Sequence, residues 1–147
     1  MNLKERIKNE WVAALKAKNS QRSQIINSIM AAIKQVEVDT RIEQDDNGVL
    51  TILNKMVKQH NESIMQFSAA GRVDLTAIEE NELKIIKEFL PEQASQEEID
   101  IVVAQALHNV GSNSIKDMGR IMGLVKSQLL GKCDMTKVSQ LVKSKLQ

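Results

Sequence analysis

A short segment near the C-terminus combines glycines and basic side chains in a pattern that suits contact with a polyanion. The segment Lys116–Gly123 (KDMGRIMG) places Gly119 and Gly123 four residues apart in a helical pattern, with Arg120 between them. A glycine inside a helix costs about 1 kcal/mol relative to alanine. A helix that keeps two glycines is therefore expected to need a close approach of its backbone, either to another helix or to a polyanion.

The two sides of this helix differ in character. At about 100° per residue, the apolar residues cover one side, and the glycines and cations lie opposite or at its flank. The apolar set is Ile115, Met118, Met122, Val125 and Leu129. A ribose-phosphate strand can approach bare backbone while Lys and Arg neutralise phosphates. The residues expected to bind nucleic acid are Lys116, Gly119, Arg120, Gly123, Lys126, Lys132, Lys137 and Lys143. Packing of a helix from the N-terminal half on the glycines explains them equally well.

Patterns that signal catalysis or cofactor binding are missing from the sequence. It has no phosphate-binding GxxxxGK[ST] loop and no GxSxG nucleophile motif. Neither His60 nor His108 has a neighbouring cysteine at metal-ligand spacing. His60 lies on an apolar stripe and is expected to be a core or boundary residue. Cys133 follows Lys132, which can lower a thiol pKa, although a surface or half-buried thiol without chemistry is the better interpretation. We expect no catalytic residue, no metal site and no cofactor.

One segment resembles a calcium loop and is rejected. Glu43, Asp45, Asn47 and Gly48 occupy offsets 1, 3, 5 and 6 of such a loop. Offset 12 is Asn54 instead of the bidentate glutamate that calcium loops need, and offset 1 is normally aspartate. A polar connection between two helices explains the segment better.

Composition bounds the class of protein and the expected compartment. Hydrophobic residues form 42% of the 147 and aromatics only 2%, which indicates a globular, helix-rich protein. No apolar run is long enough to span a bilayer, and the charged N-terminus lacks a signal core. A single cysteine excludes an internal disulfide and suits a reducing compartment. The sequence thus predicts a cytoplasmic protein without membrane contact.

Charge is distributed unevenly along the chain. Residues 1–34 carry seven basic and two acidic side chains, residues 35–110 carry six and fifteen, and residues 111–147 carry seven and two. The net charges are therefore +5, −9 and +5. Basic ends attract phosphates even on a nearly neutral protein, although lysines that simply solvate helix faces explain the same charges. The scarcity of aromatic residues disfavours base stacking, so folded RNA is the better candidate ligand.

Apolar spacing predicts seven helices and no strand, which is an all-α fold. The inward residues expected in the first four helices are Leu3, Ile7, Trp11, Leu15; Ile26, Ile29, Ile33, Val36; Leu53, Val57, His60, Ile64, Phe67; and Leu75, Ile78, Ile85, Ile86, Phe89, Leu90. Those expected in the fifth and seventh are Ile99, Val102, Val103, Ala106, Val110; and Met135, Val138, Leu141, Val142, Leu146. The residues expected to start helices are Asn19 or Ser20, Asp74, a Ser95/Glu98 capping box, Ser114 with Asp117, and Asp134. Helices are expected to stop at a polar break over 39–48, at Gly71 and at Gly111.

The only proline, Pro91, marks the expected domain boundary, because proline cannot continue the preceding helix without cost. We predict a four-helix bundle over residues 1–90, a hinge over 91–94 and a three-helix bundle over 95–147.

Three segments carry a resemblance to a known family: LPEQ at Leu90–Gln93, KDMGRIMG at Lys116–Gly123 and LLGK at Leu129–Lys132. With these segments, the whole chain resembles the YqeY-like family. The C-terminal part is similar to the tail domain of the B subunit of tRNA-dependent amidotransferases (GatB/YqeY). The resemblance implies two helical bundles, of four and three helices, and an RNA-related role, since that tail domain helps to hold tRNA. The resemblance implies no role for Cys133, because the sequence there departs from the pattern expected of the family.

The function expected from these observations is an accessory protein that binds tRNA or a tRNA–enzyme complex and has no catalysis of its own. The resemblance implies an amidotransferase or another tRNA-handling enzyme as its protein partner. Two alternatives remain: a helical protein–protein adaptor without RNA, and a carbon–nitrogen ligase, which rests on the resemblance alone. The missing ATP-binding pattern counts against the ligase.

Overall fold

The computed structural model describes residues 1–111 and 113–146, and over these residues the protein is all-α, with seven α-helices and no strand. The predicted fold class is confirmed. The chain divides into two compact units, Met1–Pro91 and a second that begins at Glu92. None of the helices in the described ranges has both the length and the apolar content needed to cross a membrane.

The first unit consists of two helical hairpins around one core. Its helices are α1 (Leu3–Lys16), α2 (Ser20–Thr40), α3 (Asp46–Ala69) and α4 (Val73–Lys87). Helix α1 packs on α2 and α3 packs on α4, while α2 also contacts α4. The buried residues of the core are Ile7, Ile26, Ile29, Ile33, Val49, Ile52, Leu53, Ile86 and Phe89.

Two inward positions predicted for this unit are wrong. Leu15 is 49% exposed and Ile78 is 48% exposed. Ala14 is buried in place of Leu15, because a step of seven from Ile7 stays closer to the helix face than a step of eight. On α4 the buried position that the pattern missed is Leu83.

Polar residues set the ends of these helices. Asn2 and Glu5 form a capping box on α1, and Asn19 Oδ1 accepts from the Arg22 backbone N–H on α2 at 3.1 Å. The break before α3 is shorter than predicted. Asp45 caps α3 by accepting from the Gly48 N–H at 2.9 Å, so Gly48 belongs to the first turn of the helix.

The ends of the second hairpin differ in one respect from prediction. Gly71 follows α3 with a φ of +70°, in the left-handed region that favours glycine, and confirms the predicted stop signal. Asp74 does not cap α4, because the N-cap position is Arg72. The Asp74 side chain instead accepts from the Arg72 guanidinium at 3.2 Å, which lowers the pKa of Asp74.

Ion pairs tie the helices of the first unit together. Arg22 on α2 donates to Glu88, after α4, at 2.5 Å and to Glu10 on α1 at 3.2 Å. Lys4 on α1 pairs with Glu37 on α2 at 2.7 Å. These cations hold their own fold together, so they are poorly placed to bind anything else.

The second unit contains α5 (Gln96–Val110), α6 (Met118–Leu129) and α7 (Met135–Lys145). Helix α6 lies in the middle of the packing, with contacts to both α5 and α7. The buried residues of this second core are Val103, Ala106, Ile121, Val125, Leu129, Cys133, Val138, Val142 and Leu146. Ser95 caps α5 by accepting from the Glu98 N–H at 3.2 Å, Gly111 ends α5 with a φ of +69°, and Asp134 caps α7 by accepting from the Thr136 N–H at 2.9 Å.

Candidate nucleic-acid surface

Helix α6 starts differently from the prediction. Ser114 caps a single 3₁₀ turn, Ile115–Asp117, by accepting from the Lys116 N–H at 3.2 Å, and the α-helix begins only at Met118. The tighter turn rotates Ile115 off the apolar stripe, and its side chain is 47% exposed. Ile121, which the predicted stripe omitted, is fully buried instead.

The two glycines of α6 face open space within their own unit. A Cβ atom built on Gly119 or on Gly123 meets no described atom of the second unit within 4 Å. Both residues have ordinary negative φ angles, so the backbone conformation does not require glycine either. Neither the packing of this unit nor its backbone geometry therefore explains why α6 keeps two helix-weakening residues.

Cations lie beside these glycines on the exposed side of α6. Lys116 and Lys126 are exposed, and the Arg120 side chain is 74% exposed. Arg120 Nη1 lies 3.8 Å from Asp117 Oδ1, at the outer limit of an ion pair and worth little in water. The exposed strip also includes Leu124 and Ser127, which the sequence analysis did not select.

The remaining predicted cations lie outside α6. Lys132 is exposed in the α6–α7 connection, and Lys137 and Lys143 are exposed on α7. A separation of six residues places Lys137 and Lys143 about 120° apart around the helix, so one face of α7 does not present both. Among the described residues, no carboxylate forms an ion pair with these three lysines or with Lys116 and Lys126.

Two of the sequence segments that carry the family resemblance meet in this unit. The Gln93 Nε2 donates to the Gly131 carbonyl at 2.9 Å, and the Ala94 N–H donates to the Lys132 carbonyl at 2.8 Å. Gly131 has a φ of +82°, which favours glycine. These bonds attach the end of the predicted hinge to the α6–α7 connection. The LPEQ and LLGK segments therefore fix the position of the C-terminal end of α6.

Cys133 has no sign of thiol chemistry. Its side chain is buried in the second core, and its Sγ donates weakly to the Leu129 carbonyl at 3.8 Å. Burial, and secondarily the neighbouring Asp134 carboxylate, raise the pKa of the Cys133 thiol. The surface or half-buried thiol expected from the sequence is therefore wrong, because Cys133 is buried, and desolvation disfavours the thiolate that the adjacent Lys132 could favour.

A three-residue group in the first unit has the donor atoms of a metal site. His60 on α3 and Glu79 and Glu82 on α4 place one ring nitrogen and two carboxylate oxygens within 4.8 Å of one another. Spacing along the sequence does not indicate these three residues as ligands, because they are close only after α3 and α4 pack as a hairpin.

The protein therefore belongs to the class of all-α proteins with two helical units. Its second unit exposes helix backbone between cations. The chain belongs to the Yqey-like protein family, whose sequence profile matches residues 4–146. The predicted family resemblance is thereby confirmed.

Curated relatives of the chain include fungal proteins named "Altered inheritance of mitochondria protein 41, mitochondrial". The Kluyveromyces lactis protein is 34% identical over 69% of this chain and 56% of its own length. The Clavispora lusitaniae protein is 34% identical over 73% of this chain and 64% of its own, and a Saccharomyces cerevisiae protein is 30% identical over 65% and 52%. The chain thus spans about half to two thirds of the length of these relatives.

The names of these relatives overturn the predicted cytoplasmic location, since they place the relatives in mitochondria. The prediction was wrong because its evidence was indirect. A single cysteine indicates only that disulfides are not used, and this does not distinguish one reducing compartment from another.

Proposed function

We propose that this protein is a non-catalytic RNA-binding accessory protein that holds folded RNA, with tRNA as the first candidate, on the outward face of α6. We propose the same residues as from the sequence: Lys116, Gly119, Arg120, Gly123, Lys126, Lys132, Lys137 and Lys143. Family membership, together with the similarity to the tail domain of tRNA-dependent amidotransferases, supports tRNA as the ligand and a tRNA-handling enzyme as a protein partner.

One observation carries the proposal: Gly119 and Gly123 are open on a helix face flanked by exposed cations, of which only Arg120 has an ion pair among the described residues, and a long one. Two exposed glycines weaken an isolated helix by up to about 2 kcal/mol in total. A ligand that approaches the backbone closely gives this weakness a purpose, because a methyl group at either position holds phosphate and ribose away. The neighbouring Lys and Arg side chains then neutralise the phosphates.

The surface suits shape recognition better than base reading. The three aromatic residues of the chain, Trp11, Phe67 and Phe89, all belong to the first unit, so α6 has no ring on which a base can stack. Contacts from cations and bare backbone reach phosphate and sugar, which position an RNA without specifying its sequence. We therefore expect weak discrimination among tRNAs by the isolated protein.

The proposal is tested by titrating fluorescently labelled bulk tRNA with the full chain at two salt concentrations. The variant Lys116→Glu/Arg120→Glu/Lys126→Glu is compared with Lys8→Glu/Lys16→Glu/Lys58→Glu, which reverses three exposed cations of the first unit. Lys4 is left out of the control because it is paired with Glu37. Both variants change the net charge equally.

We expect the α6 variant to lose at least about ten times more affinity than the control, since each phosphate contact adds to the counterion term. Its dependence on salt should also become shallower by up to about three units of the logarithmic slope. Equal losses in the two variants, or no binding of tRNA by the wild type at low salt, would exclude an RNA site on α6.

A protein-binding adaptor is the second candidate function, and one observation favours it. An open groove of about 480 Å³ runs between α5 and α6, with Ile101 and Val102 on one wall and Leu129 on the other. Ile101 is 56% exposed, an apolar side chain that a partner can cover. Ile101→Asn, which adds no charge beside Lys132 in the same groove, should abolish capture of such a partner and leave tRNA affinity unchanged.

A further inference from the structure

We propose that His60, Glu79 and Glu82 form a binding site for a divalent transition-metal ion such as Zn²⁺. The site lies in the first unit, in the hairpin of α3 and α4, and is independent of the surface proposed for RNA. The expectation of no metal site rested on spacing along the chain, which does not reveal a site shared by two helices.

The hairpin explains why the three residues meet. Gly71 turns the chain between α3 and α4, and His60 and Glu82 are equally far from that turn along their helices. In an antiparallel pair, residues at equal distances from the turn lie side by side. Glu79 and Glu82 are three residues apart, so both carboxylates lie on the same face of α4 and point toward α3.

The hydrogen bond that His60 makes to the backbone suits it to bind an ion. Its Nδ1 lies 2.9 Å from the Met56 carbonyl oxygen, which can only accept, so Nδ1 carries a proton. With the proton on Nδ1, the Nε2 lone pair is available to a cation held between the ring and the two carboxylates. Histidine ligands of metal ions usually donate their other ring N–H in this way, often to a backbone carbonyl, which fixes both tautomer and ring orientation.

The distances match those between ligands of one ion. Nε2 lies 3.0 Å from an Oε2 of Glu82 and 3.6 Å from an Oε2 of Glu79. Two atoms that each bind a tetrahedral Zn²⁺ at about 2.1 Å are separated by about 3.4 Å. These two distances lie on either side of this value, and all three atoms lie within 4.8 Å of one another, so side-chain adjustment can bring them into coordination.

Charge and exposure are also suitable. A neutral imidazole and two carboxylates carry a charge of about −2, which balances a divalent cation. The three side chains are 18%, 23% and 26% exposed, which leaves a route for the ion and room for a water as fourth ligand. An imidazole among the ligands favours Zn²⁺ over Mg²⁺ or Ca²⁺.

The test is a calorimetric titration of the full chain, stripped with a chelator, with ZnCl₂ alone. We expect one ion per chain and a higher melting temperature with zinc than without. His60→Gln and the double variant Glu79→Gln/Glu82→Gln should each bind zinc at least about tenfold more weakly. The matched controls are His108→Gln and Cys133→Ser, which remove the other histidine and the only thiol and should leave affinity unchanged within about twofold. MgCl₂ should give no comparable binding.

Two results would overturn the site: a wild type that binds no stoichiometric zinc, or variants at His60 and at both glutamates that bind zinc as the wild type does. In either case the group is a hydrogen-bonded contact between His60 and the two glutamates, without a metal role. Circular dichroism without zinc checks that each variant keeps its helices. If His60→Gln loses them, the glutamate variant decides alone, since glutamine preserves side-chain size and helix propensity.

Discussion

The two units differ in whether ion pairs join their helices. In the first, Arg22 joins α2 to Glu10 on α1 and to Glu88 after α4, and Lys4 joins α1 to Glu37 on α2. In the second, the one ion pair found among the described residues is the loose Arg120–Asp117 contact on a single helix. Ion pairs between helices therefore fix two cations of the first unit, Arg22 and Lys4, whereas none of the cations described in the second unit is fixed in this way. This difference, more than net charge, makes the second unit the better candidate for a polyanion.

The largest expected effects test whether the two units are stable separately. Leu53→Ala and Ile121→Ala each remove a fully buried side chain, one from each core, and should each lower the stability of their own unit by about 2–5 kcal/mol. Trp11, in the first unit, is the only tryptophan, so its fluorescence reports that unit, whereas circular dichroism reports both.

In urea, Ile121→Ala should therefore shift part of the circular dichroism transition and leave the fluorescence midpoint unchanged, whereas Leu53→Ala should shift the fluorescence. If both variants shift both signals together, the units unfold as one and the predicted domain boundary is lost.

The next effect concerns the glycines of α6 and has the opposite sign. Gly119→Ala and Gly123→Ala should each raise stability, by up to about 1 kcal/mol, because the added methyl group meets open space within the unit and improves helix propensity. Affinity for tRNA should fall in the same variants.

Thermal melting and tRNA titration of the two single variants and the double variant separate the two explanations of the glycines. Lower melting temperatures with unchanged tRNA affinity would indicate a helix of the N-terminal half packed on this face, with methyl groups that clash.

A smaller effect on stability tests the ion pairs themselves. Arg22→Met should lower the stability of the first unit by up to about 1 kcal/mol, because it removes two partly exposed ion pairs. Arg120→Met, in the second unit, should change stability by less than about 0.3 kcal/mol, since its ion pair is long and exposed. Urea midpoints at low and high salt make the comparison, and an equal loss in both variants would remove the distinction between the units.

The smallest effect is a difference in pH dependence. The Lys4 ammonium, and secondarily the Gln44 N–H, lower the pKa of Glu37. A carboxyl group whose pKa is lower in the folded than in the unfolded protein stabilises the fold at pH values above its unfolded-state pKa. This stabilisation is lost as the pH falls through the folded-state pKa. Fluorescence-detected stability should therefore decline in acid, and Glu37→Gln should reduce the decline. An identical acid profile in Glu37→Gln would show that other carboxylates cause it.

Much of the fold follows from the sequence because helical periodicity and caps are local signals. The stripe Ile26, Ile29 and Ile33 is buried as predicted, and Asp134 caps α7. The errors arose where local geometry changes the period. The 3₁₀ turn before α6 exposed Ile115, and a helix cap at Asp45 drew Gly48 into α3.

The sites were harder to predict, because they depend on which side chains meet in space. The exposure of the α6 cations could be read from one helix, since a helical wheel separates them from Val125 and Leu129. Whether these cations lack ion-pair partners could not be read from the sequence, because that depends on every carboxylate nearby in space. The group of His60, Glu79 and Glu82 was invisible for the same reason: its donors come from two helices, and only the register of their hairpin brings them together.

Because Cys133 is buried, its reactivity can report the opening of the second unit. A thiol reagent can reach this sulfur only when the core around it opens, so the labelling rate reports the population of opened molecules. A ligand that binds only the closed unit lowers that population by the factor 1 + [L]/Kd. Protection of this single cysteine by RNA, followed by mass spectrometry, would therefore measure binding to the second unit in a chain that carries no added label.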